Sequence, residues 1–388
     1  MKVIKVNPIL EKVFKQIPED FKVYEKVNLK PLKKGPYEIF ILEKRCISTL
    51  EAIEVISKFF NIPKNKIGYA GLKDKFAVTW QYISIPQKYK VKECIFVKRN
   101  NKWIISKVKK PYYFSLKFFC YSKTPLLLGK LKGNLFEITL RNLNKSLKEK
   151  VSKNLNLRKE IPFPNYYGEQ RFGTIKGRKD FMYSELLKGN FEKALKIYYL
   201  GSASLENITW EDILELQKER LEEYEKDMLK KLIKGYDIEK ALNELPKRIK
   251  LLWAFALQSI IWNEVLRLFI EKNLKFKRVE FFEPYFLSYN LNFKKEFKNL
   301  EIPFLGYKYI PQEDIKILIN KVLEKFGISE KDFEKEILGV RFLEDNVRKA
   351  FILPKNLKIL NQEKDKITFE IFLPSGSYAS IFVRGLLI

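Results

Sequence analysis

Residues 134–141, NLFEITLR, alternate in polarity. Asn134, Phe136, Ile138 and Leu140 fall on one face, and Leu135, Glu137, Thr139 and Arg141 on the other. A period of two predicts a half-buried strand. Strand-like runs recur through the first 150 residues: YEIFILEK (37–44), VTWQYISI (78–85), SLKFFCYS (115–122) and NLFEITLRNL (134–143). CIFVKRNNKWIIS (94–106) predicts a hairpin with a basic tip, KRNNK. STLEAIEVISKFFNI (48–62) instead spaces its apolar residues by three and four, a helix capped by Ser48 or Thr49.

After about residue 175 the texture changes. DFMYSELLKGNFEKALKIYYL, TWEDILELQKERLEEYEKDMLKKLIKG and EKALNELPKRIKLLWAFALQSIIWNEVLRLFIEK carry helical periodicity. Strands return beyond about 340, in RKAFILPKNLKIL and KITFEIFLPSGSYASIFVRGLL. The latter predicts a hairpin around Pro374-Ser375-Gly376. The simplest architecture is a helical domain inserted into an α+β domain made from both ends of the chain.

Composition narrows the function classes. The 388 residues predict two domains, and 31 Phe and 20 Tyr supply ample core material. The N-terminal MKVIKVNPILEKVFKQ lacks the apolar centre of a signal peptide. The most apolar stretch, LLWAFALQSIIW, carries Gln258 and Ser259 and is too short to span a bilayer, so no membrane partner is expected. Cys46, Cys94 and Cys120 are too scattered for a disulfide framework or a metal site, which implies a reducing cytoplasm.

The chain has no histidine and a net charge of +28. That charge is uneven: residues 1–150 hold 33 Lys and Arg against 12 Asp and Glu, whereas residues 201–250 hold 10 against 12. Ion-pair networks add both signs together, so the basic excess of the first part points to a polyanion. Phosphate contacts driven by counterion release are the chemistry it suits. The near-neutral helical part argues against a basic amphipathic membrane helix.

Four segments carry candidate chemistry. GYAGLKDKFAVTWQ (68–81) presents Asp74 between Lys73 and Lys75 after two glycines that allow tight turning or close approach to a ligand. The lysines favour an ionised carboxylate and attract phosphate. GKLKGNLFEITLR (129–141) places Asn134 and Phe136 at the start of a strand, where Phe136 serves either the core or a stacked base. PFPNYYGEQRFG (162–173) is an ordered loop offering Gln170 and Arg171 as donors. LPSGSYASIFVR (373–384) reads on its own as a turn.

Together, in this order and spacing, the four segments resemble the TruD-type tRNA pseudouridine synthases. Weaker matches at 17–25, 42–53, 257–263 and 347–357 extend the resemblance over nearly the whole chain. It implies an α+β pseudouridine-synthase catalytic domain (1–174 and 341–388) with a central, mostly antiparallel sheet, interrupted by an inserted, largely helical TRUD-type domain (175–340). It also implies tRNA as partner, uridine 13 as the default target, and no metal or cofactor.

By position, Asp74 matches the family's catalytic aspartate, Phe136 the aromatic that packs on the target base, and Asn134 the asparagine beside it. Gln170, Arg171 and Phe172 match the QRF of the loop lining the site, and Lys15 matches a basic residue near it. Two departures stand out: Ser380 replaces the usual threonine, and VRGLLI replaces an ending in LRE.

Pseudouridine formation is an isomerisation, so one carboxylate suffices, as nucleophile or as proton-abstracting base. The basic tip at Lys98, Arg99 and Lys102, with Trp103, is a candidate RNA-gripping hairpin. A non-catalytic tRNA-binding or RNA-folding protein retaining the fold is the alternative. A methyltransferase would need a nucleotide-type glycine loop after a strand, and the sequence has none.

Overall fold

The structure, a computed structural model, describes residues 7–172, 182–200, 207–219, 221–279, 286–288, 293–305, 312–340 and 347–388. Its first part runs α1 (Asn7–Val13), β1 (Phe21–Val27), β2 (Tyr37–Arg45), α2 (Thr49–Phe59), β3 (Gly68–Tyr69) and β4 (Val78–Pro86). There follow β5 (Cys94–Arg99), β6 (Lys102–Ser106), β7 (Tyr113–Ser122), β8 (Leu131–Leu140), α3 (Lys145–Leu157) and β9 (Phe163–Pro164).

A helical stretch comes next: α4 (Met182–Leu187), α5 (Phe191–Leu200), α6 (Trp210–Gln217), α7 (Glu223–Ile233), α8 (Ile238–Glu244) and α9 (Lys247–Asn273). Short β10 (Lys277–Val279), β11 (Phe286–Ser288) and β12 (Glu301–Pro303) precede α10 (Glu313–Phe326). The last part holds β13 (Val347–Lys349), β14 (Phe351–Ile352), β15 (Lys355–Gln362), β16 (Ile367–Pro374) and α11 (Ala379–Leu386).

Local chemistry explains the boundaries. The Ser48 hydroxyl accepts from the Glu51 amide and caps α2. Asn144 caps α3, and Thr209 with Asp212 forms a capping box on α6. Asn100 and Asn101 take φ of 47° and 60°, the left-handed pair that a two-residue hairpin needs, so β5 and β6 close as expected. Pro246 splits the expected long helix into α8 and α9, because a ring lacking its N–H can only begin a helix.

The main sheet has the order β15-β16-β8-β1-β4-β2-β7-β5-β6, with β3 on β4. Among the described residues only β1 and β4 run parallel. Strands from both ends of the chain meet in register, from Ile367 opposite Leu140 to Pro374 opposite Gly133. The helices of 182–326 therefore interrupt a sheet that the two ends complete. Of the expected domain boundaries, residues near 174 and most of those near 340 lie outside the described residues.

The expected terminal hairpin is not formed. β16 is a strand, but residues 379–386 after the turn make helix α11. ASIFVRGL is almost continuously apolar, and such a run carries no period that separates strand from helix. Its burial against α3 favours the helix here.

Two large apolar clusters lie against the sheet, beside a small third one of Ile39, Cys120 and Leu126. Phe21, Val23, Phe136, Ile138, Phe369 and Ile371 belong to one, which continues without a break into α4, α5, α9 and α10. Phe40, Leu42, Ile83, Phe96 and Phe114 form the other with α2. Each such side chain contributes about 1.5–3 kcal/mol on burial.

The run of apolar residues at 251–262 is the centre of the 27-residue α9, which by length and composition alone could cross a membrane. Its most apolar window is 78% buried within the protein, as a core helix is. The polar ends of Gln258 and Trp262 find carbonyls of Leu305 and Ile302 at 3.1 and 3.0 Å.

Candidate active site

Between the two clusters runs a buried polar seam: Glu25, Lys44, Thr49, Lys73, Thr79 and Gln81. It holds the loop from β3 to β4 that carries Asp74. The Thr49 hydroxyl accepts from the Lys73 amide at 3.1 Å and donates to Gln81 Oε1 at 2.7 Å. Gln81 Nε2 in turn donates to the Gly71 carbonyl at 3.2 Å. From beneath, Lys44 Nζ donates to the carbonyls of Asp74, Ile47 and Lys73 at 2.6, 2.9 and 3.3 Å.

The two glycines of this loop differ. A Cβ on Gly68 would lie 2.4 Å from the Leu126 carbonyl oxygen, so no side chain fits there. Gly71 has only ordinary contacts, 3.5 Å and beyond.

The Asp74 side chain is 26% exposed and Lys15 Nζ stands 3.5 Å from its Oδ1. Lys15 takes φ of 56° after α1, a turn that aims its ammonium back over the Phe21 ring, 3.8 Å from the centroid. Burial pulls the Lys15 pKa down, and the Asp74 carboxylate opposes that pull. The Phe21 ring lies 5.5 Å from that of Phe136. Phe136 is opposite Val23 on β1 and Ile371 on β16, and is 6% exposed.

Asn134, one residue pair further, faces Glu25 and Leu373, and among the described residues its buried Oδ1 has no hydrogen bond. The structure thus brings Asp74, Lys15, Asn134 and Phe136 together over β1. Leu72 and Phe76, exposed on either side of Asp74, give the site an apolar rim.

The Lys73 side chain turns inward. Its Nζ is 2.5 Å from Glu25 Oε1, with side chains only 4% and 0% exposed, and Glu25 Oε2 accepts from the Tyr82 amide at 2.8 Å. The expectation that Lys73 meets RNA is corrected: its ammonium is committed to the buried carboxylate of Glu25, which offsets the cost of burying the charge. Lys75 remains exposed.

Arg348 joins the third and fourth motifs. Its guanidinium donates to the Asn165 carbonyl at 2.6 Å and to the Gly376 carbonyl at 2.7 Å, and lies 4.0 Å from the Tyr167 ring centroid. Gly376 ends the turn that begins beside Asn134, where the Ser375 amide donates to the Lys132 carbonyl at 3.1 Å. The loop 162–172 is therefore tied to the β8 end of the site through one buried arginine.

Within that loop Arg171 donates to Ser259 of α9 at 3.1 Å and lies 5.0 Å from the Phe255 ring centroid. Phe172 is 2% exposed and packs in the core, which corrects its expected place lining the site. Aromatic carbon gains more from that burial than from water. The Gln170 side chain lies outside the described residues. Glu169 pairs at 2.7 Å with Arg384, and Asn154 holds the carbonyls of Leu386 and Ile388 at 2.9 and 3.1 Å. The apolar GLLI segment is thus anchored in the core without a glutamate.

The hairpin residues Lys98, Arg99 and Lys102 are exposed at the far edge of the sheet. Lys98 lies 6.0 Å from the Trp103 ring centroid and 3.8 Å from Glu51 of α2.

Glu25, Lys44, Thr49, Gln81 and Arg348 were not singled out by motif reasoning. A signal for two of them exists: Phe21, Val23 and Glu25 share a face, as do Phe40, Leu42 and Lys44, so both charges sit where the alternation demands a core residue. Among the described residues no three Cys, Asp or Glu side chains cluster as metal ligands.

The family model described as tRNA pseudouridine synthase D (TruD) matches residues 7–281. The chain is 34% identical to the tRNA pseudouridine synthase D of Aquifex aeolicus (strain VF5), over 96% of this chain and 97% of that one. It is 32% identical to "Probable tRNA pseudouridine synthase D 2" of Methanocaldococcus jannaschii, over 95% and 89%. A crystal structure from Methanosarcina mazei assigned to TruD superimposes with a TM-score of 0.68 at 24% identity, over 97% of this chain and 93% of that one, which shows the fold. The α+β architecture with its large, mostly antiparallel sheet agrees with these matches, and the chain belongs to the tRNA pseudouridine synthase D (TruD) family.

Proposed function

We propose that this chain converts a uridine of tRNA to pseudouridine, with uridine 13 as the target and Asp74 as the one catalytic carboxylate. The observation that supports it best is the Asp74 carboxylate itself, partly open, 3.5 Å from Lys15, on a loop fixed by the polar seam.

In the reaction the C1′–N1 bond breaks, the uracil turns, and a C1′–C5 bond forms. The C5 hydrogen leaves as a proton and N1 ends protonated, so atoms and electrons balance without a redox partner. Asp74 acts as nucleophile on the ribose or base, or as the base that takes a sugar proton. Phe136 stacks on the flipped uracil in this proposal, worth about 1–3 kcal/mol against the few kcal/mol of flipping.

The unbonded Oδ1 of Asn134 suits a uracil N–H. Lys15 and Arg171 add positive charge. The basic first part of the chain, including the hairpin at Lys98, Arg99 and Lys102, contacts phosphates and sets the register. The helices between 175 and 340 form the inserted domain of this reading, and the two flanking parts form the catalytic one.

Tritium release from tRNA labelled at uracil C5 tests the proposal directly. Wild type should release the label, and Asp74→Asn should fold and bind tRNA yet release none. Release by the variant would remove Asp74 from the mechanism. Binding without release by wild type would leave a tRNA-binding protein.

A further inference from the structure

Lys44 is 0% exposed, the most deeply buried of the lysines around Asp74. It stands on β2 opposite Thr79 of β4 and Phe114 of β7. Among the described residues no carboxylate forms an ion pair with it. Its three N–H bonds are instead matched to three carbonyls: Ile47, which leads into α2, and Lys73 and Asp74 on the loop. The shortest of these contacts, 2.6 Å, is to Asp74 itself.

Burying a cation without an anion is costly, by several kcal/mol after relaxation. A neutral side chain such as glutamine would tether the loop without that cost, though with two N–H donors instead of three. The ammonium is the one side-chain head that converges three donors on one point from a strand beneath.

We infer that Lys44 is the positioning residue of Asp74: its charged ammonium clamps the catalytic loop to β2 and α2, and the clamped loop is the active one. The inference rests on the role of Asp74 proposed above. Loss of the proton leaves a neutral amine with two N–H bonds and a lone pair facing a third carbonyl. One hydrogen bond is then replaced by repulsion, and the Asp74 backbone is released.

Burial pulls the Lys44 pKa from its ordinary value down to about 8. Asp74 and Cys46 oppose the shift, and Lys73 adds to it. The groups around it are Asp74 and Lys73 on the loop, Cys46 at the end of its own strand, uncharged Thr79 on β4 and Thr49 at the start of α2. Glu25 lies beyond Lys73, and Lys15 on the far side of Asp74. The protonated form is the clamping form, so activity is present below about pH 8 and falls as pH rises through that value.

The test is the single-turnover rate of pseudouridine formation from roughly pH 6 to pH 10, with tRNA Kd and Tm measured alongside. Wild type should lose rate about 10-fold per unit above the Lys44 pKa at nearly constant Kd. Arginine does not titrate, so Lys44→Arg should move that limb up by more than about one unit. Lys44→Gln should lose on the order of 100-fold at neutral pH, the cost of an ångström of misplacement, and show no limb of its own. Titration of the substrate's own N–H is common to all variants and cannot mimic these differences.

Lys44→Gln within about threefold of wild type, or Lys44→Arg with the wild-type limb, overturns the inference. If neither variant folds, Lys15→Arg decides. A limb near pH 8 that persists there, separate from the substrate N–H limb common to all variants, belongs to Lys44, and one that vanishes belongs to Lys15 and overturns the inference. No product from wild type at any pH removes the proposed function and this inference with it. Product without an alkaline limb removes the inference alone.

Discussion

The buried pair of Lys73 and Glu25 makes a quantitative prediction. With the two side chains 4% and 0% exposed and 2.5 Å apart, removing either partner leaves an uncompensated charge in the core. Such a loss costs about 3–5 kcal/mol. An unfolding entropy of about 2.1 cal/mol/K per residue over 388 residues is about 0.8 kcal/mol/K, so a loss of about 4 kcal/mol lowers Tm by about 5 °C. Glu25→Gln and Lys73→Met should each show it. The double variant removes both charges and should recover to within about 2 °C of wild type, because a buried pair is close to neutral against uncharged replacements.

Activity should not recover with it. Lys73 precedes Asp74, and loosening it by an ångström costs on the order of 100-fold in rate. Calorimetry and single-turnover kinetics on the three variants form a thermodynamic cycle. Single variants that melt and react like wild type would refute the reasoning, since the seam would then neither hold the fold nor aim the loop.

Other outcomes follow from the same geometry. Phe136→Leu keeps the core filled at a cost of about 1–2 kcal/mol, yet should slow pseudouridine formation 5-fold or more while tRNA Kd holds; an unchanged rate would remove the stacking role. Gly133→Ala would set a Cβ 2.4 Å from the Leu373 carbonyl oxygen and should lower Tm by forcing β8 and β16 apart, whereas Gly71→Ala, with its nearest neighbour at 3.5 Å, should melt like wild type. Replacing Lys98, Arg99 and Lys102 by alanine should flatten the salt dependence of tRNA binding by about 0.9 log unit for each duplex phosphate no longer neutralised; an unaltered slope would clear the hairpin of any part in binding.

The sheet was legible because its strands carry a clean period of two, and the helical stretch because its period is near 3.6. α11 was not, since a fully buried apolar segment has no polar face to report its geometry. Asp74, Asn134 and Phe136 stood out through their motifs and do converge over β1. Lys73 was misplaced because sequence proximity to a carboxylate says nothing of direction: adjacent residues on an extended loop point apart, and its partner Glu25 lies 48 positions away. Lys44 and Arg348 escaped because their partners are backbone carbonyls, which every residue has and no residue type announces.

The register between β8 and β16 also governs when the enzyme can exist. The hydroxyls of Thr139 and Thr368 meet at 3.0 Å although 229 residues separate them. While the chain is being synthesised, β8 therefore presents an unpaired edge until β16, far later in the sequence, emerges. Such an edge templates pairing with other chains, and pairings this remote in sequence form slowly. The flank of Asn134 is completed by the same late strand, so a partly made chain exposes a hazard and holds no finished site.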